Sequence, residues 1–166
     1  MNSSQESALR EILRTQQIAA LGTLHDGSPF VSMVPFAILR TGIGFVIHVS
    51  QLSAHTMDML ASPAVSLLVV ASPSSDTPVQ AMARVTIQGQ AAQCTESSED
   101  HAKAKAAYLA KFPETAELFT FADFSLFVIR PTSIRFIGGF AQAATLDPAR
   151  LARILSAPGP GEGVPE

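Results

Sequence analysis

The sequence predicts an α+β fold in which about six antiparallel strands curl into a barrel with helices around it. Three observations point there. Short apolar runs are separated by turn formers such as Asp26-Gly27, the spacing that joins antiparallel neighbours by hairpins. Helical periodicity enters between groups of strands rather than after every strand, which argues against a parallel wound sheet. Charge is also missing where the strands are. Between Ile18 and Thr95 the only Asp, Glu, Lys or Arg residues are Asp26, Arg40, Asp58, Asp76 and Arg84, and no lysine precedes Lys103. An antiparallel sheet with one wet face alternates apolar with polar residues. A stretch this poor in charge has both faces covered, by helices or by a second subunit.

The elements follow in order. Ser3 and Glu6 fit a capping box, and Ala8, Leu9, Ile12 and Leu13 recur at helical spacing behind it, so residues 4–17 read as an amphipathic helix. Residues 18–24 form a strand, a turn follows at 25–28, and 30–39 is the return strand. A second turn at Thr41 and Gly42 leads to a strand over 44–49. Ser53 is a natural N-cap for a helix over 54–61 that Pro63 stops. Residues 64–71 are an apolar strand, 72–78 a loop, and 81–94 a long strand bulged at Gly89. A helix opens at Ser97 or Ser98 and runs to Lys111, with Ala102, Ala106, Leu109 and Ala110 on one side, and a short second helix covers 113–118. Strands over 123–129 and 133–137 are separated by Arg130-Pro131, and Asp147-Pro148 starts a last helix to Leu155. Residues 1–156 read as one domain and 157–166 as a mobile proline- and glycine-rich tail.

Composition excludes several classes. The 166 residues carry 11 basic and 14 acidic side chains, a net charge of −3, which leaves no basic excess to neutralise nucleic-acid phosphates. Only 15% of residues are charged, against about 25% on average, so disorder is excluded too. No apolar run is long enough to span a membrane, and residues 1–14 do not look like a secretory signal, so a cytoplasmic location is expected. The single cysteine, Cys94, excludes a disulfide framework and a cysteine zinc site, and the four histidines form no metal-ligand pair.

Few residues are placed to carry chemistry. No nucleophile motif or phosphate-binding glycine loop is present, so any hard step belongs to a cofactor, and no side chain is assigned as catalytic. His25 and His101 read as solvated. His48 and His55 flank a strand-to-helix bend that also holds Ser50 and Ser53; they are either a half-buried strand residue and a cap residue, or two walls of one concave site. Hydroxyls, backbone N–H groups and the positive end of a helix dipole meet at such a bend, which suits a phosphate monoester. Arg84 stands on a strand otherwise free of charge. It either projects to solvent, pairs with a second subunit, or takes an anionic ligand.

The runs 28–36 (SPFVSMVPF), 47–56 (IHVSQLSAHT) and 84–89 (RVTIQG) resemble the pyridoxamine 5′-phosphate oxidase-like, FMN-binding split-barrel family. The segments 123–126 (DFSL) and 138–143 (GGFAQA) resemble its haem-utilisation-like branch. The resemblance implies a split β-barrel homodimer with FMN in the groove between subunits. Met33, Val34, Pro35 and Phe36 would line the flavin ring. His48, Val49, Ser50, Ser53, His55 and Thr56 would hold the phosphate and ribityl chain, and Arg84 would reach the flavin. The glycine pair before Phe140 would let backbone approach the ring or the partner.

This chain has Val31, Ser32 and Phe36, and Ala54-His55, where the oxidases carry cations, which argues against pyridoxamine phosphate itself as substrate. Some relatives bind haem through a histidine in a C-terminal domain, a ligand expected to be missing here. The expectation is an FMN-dependent oxidoreductase acting on a small molecule. The alternatives are a haem-binding or haem-utilisation protein using the same groove, or a non-catalytic dimeric relative.

Overall fold

A computed structural model describes residues 1–40, 43–139 and 142–157. The first helix, α1 (Ser3–Thr15), is capped one residue earlier than expected: Asn2 and Gln5 form the capping box, not Ser3 and Glu6. β1 (Ile18–His25) and β2 (Ser28–Pro35) pair in the expected hairpin, its turn made by Asp26 at φ 50° and Gly27 at φ 78°. Two consecutive positive φ values define the turn whose twist matches that of paired strands, and Asp-Gly is suited to it. The return strand breaks at Phe36. β3 (Ala37–Leu39) continues beyond it and pairs with β4 (Gly44–Ser50), while Phe36 donates its N–H to Gln17. The expected turn at Thr41 and Gly42 lies outside the described residues.

α2 (Ala54–Ala61), β5 (Ala64–Val70) and β6 (Arg84–Cys94) fall close to their predicted places, with a 3₁₀ turn at Val79–Ala81 before β6. The ladder between β6 and the next strand shifts register between Gln88 and Gly89, the bulge expected there. The two strands expected on either side of Arg130-Pro131 are one strand, β7 (Phe124–Ile137). The physical reason is the bulge: Pro131, which has no N–H to donate, sits opposite Gly89, and a Cβ on Gly89 would lie 2.5 Å from the Arg130 carbonyl oxygen. A short eighth strand, β8 (Ala143–Leu146), was not expected and pairs with the far half of β7. The sheet therefore has eight strands rather than about six. Gly139 is at φ 147°, while Phe140, Ala141 and residues 158–166 of the expected tail lie outside the described residues.

The sheet runs β2-β1-β5-β6-β7-β4-β3, so its path begins and ends on one stretch of chain, residues 28–39, and curls into the split barrel. Its interior is filled by Leu21, Phe36, Phe45, Ile47, Leu67, Ile87, Ile129 and Phe136. α1 and α4 (Pro148–Ser156, capped by Asp147) close one end with Leu9, Leu13, Leu151 and Leu155. α3 (His101–Lys111) and the 3₁₀ segment Pro113–Thr120 pack outside β3, β4 and β7 around a second cluster that includes Val46, Leu126 and Tyr108. The buried stripe of α3 is Ala104 and Tyr108, not the side with Ala102, Ala106, Leu109 and Ala110. β4 thus has both faces covered, as the missing charge predicts. β2 does not: Val31 is 67% and Met33 60% exposed in the single chain. No described helix is long and apolar enough to cross a membrane.

Candidate functional site

The bend between β4 and α2 is built from side chains that satisfy its own backbone. Ser50 Oγ accepts from Leu52 N at 3.2 Å, and Thr56 Oγ1 donates to the Ser50 carbonyl at 2.7 Å. Thr56, expected at the cofactor, is buried and braces the bend. Ser53 occupies the N-cap position but makes no side-chain cap, so its hydroxyl is open at the helix start. His55, the second residue of α2, has Nδ1 3.1 Å from Ser32 Oγ on β2, while its Nε2 is enclosed without a partner. Burial lowers the His55 pKa, against an opposing pull from Asp58, so the imidazole stands neutral at pH 7.

His48 does not share this site. It lies on the opposite side of β4, stacked on Phe119 at 3.9 Å between ring centroids, with Tyr108 and Phe124 around it. Burial, reinforced by Lys105, pushes its pKa down to about 4, and Nδ1 is enclosed without a partner. Period 2 explains the separation: Ile47 and Val49 face the barrel interior, which sends His48 outward under α3. The same alternation directs Val34, and the strand break directs Phe36, into the core, so of the four residues expected along the flavin only Met33 is exposed, with Pro35 half-buried.

Met33 belongs to an apolar outward face. Across the sheet it is paired with Ala20, and Ala20 with Leu68, with Ile18 and Val31 on either side. A cleft of about 410 Å³ lies on this face, lined by Ile18, Ala20, Met33, Leu68, Val70 and Met82. Arg84 borders it: Arg84 pairs across the sheet with Val70, and its Nη1 donates to the Met82 carbonyl at 3.0 Å and to that of Gln80 at 3.4 Å. It is half-buried and has no carboxylate partner among the described residues.

One polar cluster escapes a reading by motif. Asp58, on α2 and 5% exposed, accepts from Thr23 Oγ1 and from His25 Nδ1, each at 2.7 Å. Burial works to raise the Asp58 pKa, but the bonds from Thr23 and His25 outweigh it and the carboxyl sits below its usual range. His25, expected to be merely solvated, is raised by the same carboxylate. The available signal was a lone charge on a helix in an otherwise uncharged stretch, since such a helix packs its charge only against a partner.

Comparison with known proteins adds four findings. The family described as pyridoxamine 5′-phosphate oxidase matches residues 5–138. The chain is 36% identical over 138 residues to the chloroplastic heme oxygenase HOZ of Arabidopsis thaliana, covering 81% of this chain but 40% of that protein's length. It is 26% identical over 140 residues to the heme oxygenase HutZ of Vibrio cholerae, covering 83% of this chain and 78% of that one. Among solved structures, a heme binding protein from Mycobacterium smegmatis superposes with a TM-score of 0.81 at 27% identity, over 92% of this chain and 62% of the other.

Proposed function

The chain belongs to the pyridoxamine 5′-phosphate oxidase family, and from that premise we propose that it is a haem-binding protein that holds haem against the outward face of β1, β2 and β5, between two copies of itself. The observation that carries the reading is that face: an apolar cleft beside a half-buried guanidinium that no carboxylate of the described chain neutralises. The names of the two curated relatives and of the Mycobacterium smegmatis structure support the ligand.

The residues fit a porphyrin in part. Ile18, Met33, Leu68 and Val70 offer a flat apolar wall to the macrocycle, and Arg84 can pair with a propionate through charge-assisted hydrogen bonds. Among the described residues no histidine lines the cleft, and its soft donors are the thioethers of Met33 and Met82. This chain's part is therefore to bind the macrocycle by its face and its carboxylates and to exclude water from one side. Bound haem would supply the iron-centred oxygen chemistry. A second copy covers the other side, because an apolar patch of this kind is covered in most soluble proteins.

FMN is the second reading. It is favoured by the open Ser53 hydroxyl and the unpartnered His55 Nε2 at the start of α2, where a phosphate could be received. Titration separates the two. Haemin added to the purified protein is expected to develop a shifted Soret band, and Arg84→Gln to weaken binding about ten-fold, the loss of one charged hydrogen bond. An unchanged haemin spectrum with quenching of FMN fluorescence would overturn the haem reading in favour of the flavin, and silence with both would remove each.

A further inference from the structure

A second cleft, of about 640 Å³, opens between α1, β3 and α3, and shares no lining residue with the face just described. Its floor is aliphatic, with Ile38, Leu39, Ala107 and Ala110 along it, and among the described residues no carboxylate and no aromatic ring lines it. Arg14, Arg40, Lys103 and Lys111 line it as well. In a chain of net charge −3, the cleft gathers these four cations and, among the described residues, no acid in its lining.

The cations are arranged as two poles. Lys111 Nζ lies 4.1 Å from the centre of the Phe36 ring and donates to the Gln16 carbonyl at 2.6 Å. Arg14 donates to the Leu155 and Ala157 carbonyls on the same side. Burial holds the Lys111 ammonium down to about 8, so this pole is spent on the chain's own structure. From Phe36, β3 runs away along α3. Its far end is fixed beside the start of α3, because Arg130 pairs with Asp100 and donates to the Ile43 carbonyl. Arg40 therefore lies toward Lys103, which is eight residues, or about 12 Å along the helix, from Lys111. Arg40 and Lys103 are exposed, and neither makes a hydrogen bond or ion pair among the described residues.

We propose that this cleft binds an amphipathic anion, its aliphatic chain laid along the trough over Ile38, Leu39, Ala107 and Ala110 and its head, a carboxylate or a phosphate monoester, held between Arg40 and Lys103. A smooth trough of aliphatic side chains without stacking rings suits an alkyl chain rather than a heterocycle. Two uncommitted cations at one end suit one anionic head. Bringing Arg40 and Lys103 to one end works against the folded chain alone and is relieved when an anion arrives.

The experiment uses the full chain and a dansyl-labelled undecanoate, whose emission rises on leaving water. Probe emission is expected to rise, and palmitate or dodecyl phosphate to displace it; whichever competes better identifies the head group. Palmitate methyl ester, with the same chain and no charge, is expected to compete about ten-fold less well or worse. Arg40→Glu with Lys103→Glu is expected to lose about ten-fold in affinity, and Ala107→Trp, which fills the trough, to abolish binding. Both variants should keep the wild-type circular dichroism and the haemin response, since they touch no residue of the other face.

Absence of probe binding, equal competition by the methyl ester, or indifference to the charge reversal would overturn the proposal. So would displacement by an acidic helical peptide but not by palmitate, which would make the cleft a protein-docking groove. Loss of the haemin response in the wild type alone would strike the haem reading and leave this one standing.

Discussion

An imidazole stacked 3.9 Å from a phenyl ring, with a lysine bearing on it, gains a proton only at a cost. His48 titrates near 6.5 when unfolded and at about 4 when folded. Between those values the unfolded chain holds the extra proton, so stability falls as pH drops through that window, by up to about 3 kcal/mol for the shift. His48→Phe keeps the ring stack and removes the proton site. Urea unfolding of the variant should lose less stability between neutral and acid pH than the wild type does, and parallel profiles would show that His48 is not the group responsible. His25 acts with the opposite sign. Asp58 raises its pKa, so the stability it contributes is complete below 6.5 and is lost as pH rises through the folded value. The two histidines therefore act in separate windows, His25 above 6.5 and His48 below it.

At the scale of elements, the crossing of β6 and β7 is the most demanding contact. Gly89→Ala would bring a methyl group to 2.5 Å from the Arg130 carbonyl oxygen, and backbone cannot step aside as a side chain can. It should cost about 2 kcal/mol in urea unfolding, whereas Gly27→Ala meets no neighbour and loses only the conformational preference of its turn. The bulge could be read in advance, because a glycine inside an alternating run has few other uses. Its consequence for β7 could not. That Pro131 sits mid-strand depends on an irregularity 42 residues earlier, which local sequence does not carry. The face of α3 was misread for a related reason. An alanine-rich helix has little contrast between its sides, and the single Tyr108 decided which one is buried. The start of α1 offered two adjacent capping boxes, and local chemistry does not choose between them.

At the scale of the whole molecule, the barrel and the order of its elements were legible because turns and missing charge are local signals. The site was legible in kind but not in assembly. Ser53, His55 and Arg84 stand out by residue type, yet the sequence leaves open whether His48 and His55 share one concave site, and the pleat of β4 sends His48 under α3 instead. The bond from His25 to Asp58 spans 33 residues and follows no spacing rule. The proposed pairing of two copies through the outward face is open to direct test. Met33→Glu with Leu68→Glu should turn a dimer into a monomer in light scattering while leaving circular dichroism unchanged. A wild-type protein that is already a monomer would reject that interface.

Residues 28–39 serve both ends of the sheet path, joined at Phe36, which is fully buried. If the backbone were severed there, β2 would stay with β1 and β3 with β4, and nothing covalent would hold the seam. Yet no protease reaches that bond while the barrel is shut. Nicking at the seam would therefore clock the global opening of the molecule, whereas cuts in the loop after β5 would record only local breathing.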